Sequence, residues 1–100
     1  MRIVAVTACP TGIAHTYMAA EKLELAARKL GHTIKVETQG AMGIENLLSQ
    51  ADIDAAEVAI LATDIAIEQL ERFDRIRRIH VPVQAALKDP AAIFHQAQTM

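Results

Sequence analysis

Arg2-Ile3-Val4-Ala5-Val6-Thr7-Ala8 runs directly into Cys9-Pro10-Thr11-Gly12-Ile13-Ala14-His15-Thr16. The first stretch is apolar almost throughout, the pattern of a strand covered on both faces. From about Tyr17 onward the apolar residues recur at helical spacing. The chain's only cysteine therefore falls at a strand-to-helix turn, facing the first turn of the helix. Backbone N–H groups at such a turn converge on whatever lies in front of them, and the positive helix end favours an anion. A thiolate is stabilised there, and the same cup of donors fits a tetrahedral phosphate.

Outward from this turn, a helix is predicted from about Ala14 or His15 to Leu30. Ala19, Ala20, Leu23, Ala26, Ala27 and Leu30 share one face, and Gly31 stands where a helix terminates. Thr33–Thr38 alternates Ile34 and Val36 with Lys35 and Glu37, which predicts an edge strand. Gln39–Gly43 reads as a loop and Glu45–Ala51 as a short helix. Val58–Ala62 is a second continuous apolar run, closed by Thr63-Asp64. Ile67–Phe73 reads as one or two helical turns, and Arg78–Val83 as a last strand stopped by Pro82. Gln84–Lys88 and Ala91–Gln98 are helical, with Asp89 as cap and Pro90 at the first helical position.

Strands alternating with helices over short connections imply right-handed crossovers. The expected fold is α/β: a single-domain open sheet of four parallel strands in the order 2-1-3-4, helices on both faces, Rossmann-like. In such a sheet ligands sit outside the carboxyl ends of the strands, at the switch point. Cys9, Thr38-Gln39-Gly40 and Thr63-Asp64 all fall on that edge.

Composition excludes several classes. The chain has 100 residues, enough for one domain with one core, and is 52% hydrophobic with 22% charged. A net charge of -2 leaves no electrostatic footprint for nucleic acid. One cysteine excludes an internal disulfide and fits a reducing compartment. No stretch reaches the roughly 18 apolar residues of a membrane span. Val6-Thr7-Ala8-Cys9 is similar to a lipoprotein cleavage box, but its apolar run falls short of the roughly 7–15 residues of a signal core. The expectation is a cytoplasmic protein. His32, His80 and His95 lack metal-ligand spacing, so no metal or other cofactor is expected.

Cysteine, once ionised, is the side chain best suited to attack phosphorus and form a thiophosphate. Gly12 lets the backbone approach, Pro10 removes one N–H from the rim, and the amides of Thr11, Gly12, Ile13, Ala14, His15 and Thr16 remain as donors. Each charge-assisted hydrogen bond is worth about 1.5–3 kcal/mol, against about 0.3–1 kcal/mol for the helix dipole. Several amides together outweigh the dipole, so backbone geometry does the holding. The spacing from Cys9 to His15-Thr16 is similar to the cysteine loop of low-molecular-weight phosphatases, with histidine in place of their arginine. Arginine clamps oxygens bidentately and permanently, whereas histidine titrates near neutrality. That substitution points to a phosphoryl group held for transfer rather than for hydrolysis.

Gln39 and Asp64 are further rim candidates, and Met18 and Met42 are placed to surround the site. Asp64 also reads as a helix cap. Glu37 with Asp64 forms a conceivable acid–base pair, weakened because a carboxylate repels phosphate. Arg72, Arg75, Arg77 and Arg78, interleaved with Glu71 and Asp74, read as a solvated charged face.

Val6-Thr7-Ala8-Cys9-Pro10-Thr11-Gly12-Ile13-Ala14-His15-Thr16 with Met18-Ala19-Ala20-Glu21 resembles the fructose-type IIB component of the bacterial sugar phosphotransferase system. Val36-Glu37-Thr38-Gln39-Gly40, Ala62-Thr63-Asp64-Ile65 and Glu71-Arg72-Phe73 match the same family in order, to about Val83. Tyr17 replaces the family's usual phenylalanine. The resemblance implies one IIB domain over residues 1–100, carrying phosphate as phosphocysteine on Cys9. It implies a phosphohistidine donor on a IIA protein or domain, and delivery to a fructose-like sugar bound in a membrane IIC permease. The membrane would be met only through that permease, by transient docking at its inner face. The chain opens at Met1 without IIA or IIC sequence, so a free-standing subunit is expected. Alternatives built on the same loop are a small cysteine phosphatase, an arsenate-reductase-like enzyme, or a non-covalent anion-binding regulator. The missing arginine opposes the first, and the missing second cysteine opposes a disulfide-resolving reductase.

Overall fold

β1 (Arg2–Ala8) takes the central place its apolar run predicts, with every residue from Ile3 to Ala8 buried. The structure, a computed structural model, describes residues 1–10 and 13–99, Ile13 by its backbone alone. β2 (Thr33–Gly40) pairs with one side of β1 and β4 (Val58–Thr63) with the other. β5 (Arg77–Val81) lies beyond β4, and all four strands are parallel. Their spatial order is the expected one.

The sheet has one more strand than the sequence reading provides. β3 (Gly43–Glu45) runs antiparallel to β2, giving the order β3-β2-β1-β4-β5. It takes the place of the loop and early helix expected over Gln39–Ala51. The chain reverses between Gly40 and Gly43, which pair with each other, and Gly43 adopts φ +86°, a conformation open to glycine. Helix α2 (Gln50–Ala55) starts later than expected because Ser49 and Asp52 form a reciprocal capping box. The expectation of an edge strand holds for the first half of β2 and fails for Thr38–Gly40, which β3 covers.

α1 (Ile13–Lys29) ends as a Schellman motif. Gly31 sits at φ +78°, its N–H donates to Arg28 O at 3.1 Å, and His32 N–H donates to Ala27 O at 2.8 Å. Leu70–Phe73 forms a single 3₁₀ turn, shorter than the helical segment expected from Ile67. Pro82 closes β5 and leads into α3 (Val83–Lys88). α4 (Pro90–Thr99) follows at once, with Asp89 Oδ1 accepting from Ala92 N–H at 3.2 Å, the predicted cap.

Strand alternation sorts the core into two layers. Ile3, Ala5, Val36, Ile60 and Ala62 face α1, α3 and α4, with Phe94 filling that layer. Val4, Val6, Ala59 and Leu61 face α2 and the 3₁₀ turn, where Leu48, Ile53 and Phe73 cover them. Ala19, Ala20 and Ala27 are buried on the sheet side of α1, and their small side chains leave Leu23 as the large one there. Leu23→Ala is expected to cost about 2–5 kcal/mol in urea denaturation. A loss no larger than that of a surface substitution would show that this helix face is assigned wrongly.

Candidate functional site

Cys9 is the first residue past β1. It is 8% exposed and closes one end of the α1-side core, while also lining a cavity of about 470 Å³ at the carboxyl edge of the sheet. Pro10, Gln39, Gly40, Ile44, Ile65 and Glu68 are among its other walls. The segment after β4 is fixed to this edge through Asp64, whose N–H donates to Ala8 O at 3.0 Å. The Asp64 carboxylate then reaches two ways. Oδ2 lies 4.0 Å from Cys9 Sγ, which donates to it, and Oδ1 accepts from Val83 N–H at 3.0 Å. Asp64 thus caps a helix as expected, but one 19 residues further along the chain, at the start of α3.

The other predicted site residues are distributed unevenly. Ala14 and His15 are exposed in the first turn of α1. Thr16 is buried at 1% exposure: its carbonyl accepts from Thr7 Oγ1 at 3.0 Å, fastening the helix start to β1. Among the described residues, the Thr16 and Thr38 hydroxyls are buried without a hydrogen-bond partner. Thr11 and Gly12 lie outside the described residues, as does the side chain of Ile13. Met18 and Met42 are exposed. The Tyr17 hydroxyl donates to the Glu45 carboxylate, tying the start of α1 to β3.

Behind the cavity lies a polar network that the sequence reading misplaces. Glu37 is fully buried, yet its carboxylate accepts from Arg72 Nη1 at 2.8 Å, Arg72 Nη2 at 3.0 Å, Gln39 Nε2 at 2.8 Å and Leu48 N–H at 2.9 Å. Burial pushes its pKa up, but the Arg72 hydrogen bonds, then those of Gln39 and Leu48, overcome this and hold it below the usual carboxylate range. Glu37 is therefore no acid–base partner of Asp64. Arg72 is likewise no part of a solvated face: its side chain is 10% exposed, and it also donates to Gln69 O and Leu48 O. The signal for Glu37 was its place in the alternation, opposite Val36 and Thr38. Its partner, 35 residues away, left no mark in sequence.

Gln39 belongs to the same network. Its Oε1 accepts from Glu68 N–H at 2.8 Å and its Nε2 donates to Glu68 O at 3.1 Å, pairing the end of β2 with the cavity wall. Gln39 shapes the rim by holding the backbone that forms it.

Two of the remaining histidines, His32 and His80, have structural partners. His32 is buried against Phe94, with ring centroids 5.9 Å apart, and burial lowers its pKa, so the neutral ring packs there. His80 Nε2 lies 2.9 Å from Thr63 Oγ1. Among the described residues, no group of three or more His, Cys, Asp or Glu is placed to hold a metal ion. No helix among them is long and apolar enough to cross a membrane. A cavity of about 310 Å³ at the opposite sheet edge is lined by Arg2, Thr33, Lys35 and Asp52 and lies away from Cys9.

The family described as "PTS system, Lactose/Cellobiose specific IIB subunit" matches residues 4–96. The fructose-like EIIB component 2 of Escherichia coli K12 is 48% identical over 103 residues, covering 98% of this chain and 97% of that protein. The 2-O-alpha-mannosyl-D-glycerate-specific EIIABC component of Escherichia coli K12 is 50% identical, over 98% of this chain but only 15% of that protein's length. A crystallised domain of the fructose-specific IIABC component of Borrelia burgdorferi superposes with a TM-score of 0.91 at 46% identity, covering 97% of this chain and 92% of that domain.

Two stability experiments follow from the buried pair. Arg72→Met leaves the Glu37 carboxylate uncompensated and is expected to cost about 3–5 kcal/mol in urea denaturation. Because the folded pKa of Glu37 lies below its unfolded value, its contribution is full above the ordinary glutamate range and disappears as pH falls through the folded value. Glu37→Gln should therefore flatten the acid limb of a stability–pH curve; an unchanged limb would remove Glu37 from the acid response.

Proposed function

The chain belongs to the IIB family of the bacterial sugar phosphotransferase system, in its fructose-type branch, and from that membership we propose that Cys9 is the phosphoryl-carrying nucleophile. In this reading residues 1–100 work as one IIB domain. A phosphohistidine on a IIA protein or domain donates the phosphoryl group, Cys9 holds it as phosphocysteine, and a sugar bound in a membrane IIC permease receives it. The work is done in the cytoplasm, at the inner face of that permease. The observation that carries the reading is the position of the chain's sole cysteine, at the carboxyl end of the central strand and on the floor of an open cavity. Ligands of open parallel sheets occupy that edge.

The amides of Thr11, Gly12, Ile13, Ala14, His15 and Thr16 are the proposed phosphate donors, with the exposed His15 imidazole as a further hydrogen-bonding group beside them. A thiophosphate held mainly by backbone amides keeps its transfer potential, because no fixed arginine must be released when the group leaves. Partner names among the relatives support the hand-off: one joins IIA, IIB and IIC components in a single chain. The sugar is proposed to be fructose-like, after the relative that matches this chain nearly end to end.

Intact-mass spectrometry tests the carrier directly. Incubation with phosphoenolpyruvate, the general phosphotransferase proteins and a IIA partner should add one phosphate mass, absent in Cys9→Ser. A gain that survives in Cys9→Ser, or none with any IIA partner, would overturn the assignment. His15→Ala should slow passage of the group through Cys9 while leaving the site of attachment unchanged; an unaltered rate would exclude the imidazole from the transfer.

A further inference from the structure

For Cys9 to attack phosphorus its thiol must give up a proton, and the structure offers a nearby acceptor. Cys9 Sγ points at Asp64 Oδ2 at 4.0 Å. Catalytic hydrogen bonds are commonly long before substrate binds and tighten in the complex. The other carboxylate oxygen is already committed, accepting from Val83 N–H at 3.0 Å, and the Asp64 backbone is fixed by its bond to Ala8 O. Asp64 is thus held at both ends, with one oxygen left to face the sulfur. The helix N-terminus on the far side steadies this orientation.

We propose that Asp64 accepts the Cys9 thiol proton as the phosphoryl group arrives. This deepens the carrier reading and rests on it. In the step, an S–P bond forms as the N–P bond of the donor breaks, and the thiol proton passes to Asp64. The donor imidazole, protonated on its other nitrogen, leaves neutral with the electron pair of the broken bond. Charge is conserved, since the carboxylate becomes neutral as the thiol becomes a thiophosphate. The repulsion expected between a carboxylate and a phosphate on this edge is relieved during the transfer itself, because the proton reaches Asp64 as the phosphoryl group arrives.

The other titratable groups on this edge have different duties or positions. Glu68 lines the cavity and is fixed through its backbone by Gln39; His80 bonds Thr63; His15 stands exposed in the first turn of α1. None of them replaces a carboxylate with one oxygen pinned by a helix end and the other directed at the sulfur.

The test is the rate of phosphate gain from a phosphorylated IIA partner, followed by rapid-quench mass spectrometry from mildly acid to alkaline pH. Asp64→Asn keeps an oxygen for Val83 N–H but no base. It should charge about 100-fold more slowly near neutrality, with the deficit closing as alkali ionises the thiol directly. Asp64→Ser is a second base-free variant, and Asp64→Glu should recover much of the rate. A folded Asp64→Asn or Asp64→Ser that charges as fast as the unsubstituted protein, or faster, across the whole range would overturn proton acceptance while leaving the carrier intact. Failure of the unsubstituted protein to take phosphate would overturn both.

Discussion

The buried carboxylate of Glu37 is the constraint around which the carboxyl edge of the sheet is organised. An ionised group without water is tolerable only when its lone pairs are satisfied. Here Arg72 supplies two hydrogen bonds, Gln39 one, and the backbone of Leu48 another. Each donor belongs to a different segment: the 3₁₀ turn, the end of β2, and the stretch before α2. Their shared acceptor fixes two pieces of chain, the 3₁₀ turn and the stretch before α2, against the end of β2. Gln39 then extends the hold to Glu68, the wall of the cavity that Cys9 shares.

Cys9, the proposed nucleophile, is positioned by separate means. β1 is buried from Ile3 to Ala8 and brings Cys9 to the sheet edge, and Thr7 ties the strand end to Thr16 in the helix that follows. Asp64 links the cysteine to the start of α3. The site therefore stands between two anchored bodies. One carries the cysteine sulfur and the other carries the surface in front of it. The proposed carrier, meeting two partners in succession, would need both: a fixed sulfur, and a face shaped without reference to it.

Much of this was legible in the residues. Uninterrupted apolar runs marked β1 and β4, Gly31 marked the end of α1, and Asp89-Pro90 marked the start of α4. The position of Cys9 followed from the strand-to-helix transition alone. What escaped depended on partners distant in sequence. β3 is three residues long, too short to show a period, and its pairing is set by a reversal at Gly40–Gly43. The capping box at Ser49 and Asp52 that sets the start of α2 lies within and beyond the segment read as helix over Glu45–Ala51, and that reading did not use it. Arg72 read as one arginine among several, because nothing local distinguishes a guanidinium directed inward from its neighbours in solvent.

The pairing of Gln39 with the Glu68 backbone has a consequence for how such a surface diversifies. The wall is clamped through main-chain atoms, so Ile65, Ala66 and the Glu68 side chain are not used to hold it in place. Those outward groups form a facing on a fixed frame, and exchanging the facing would leave the frame in place.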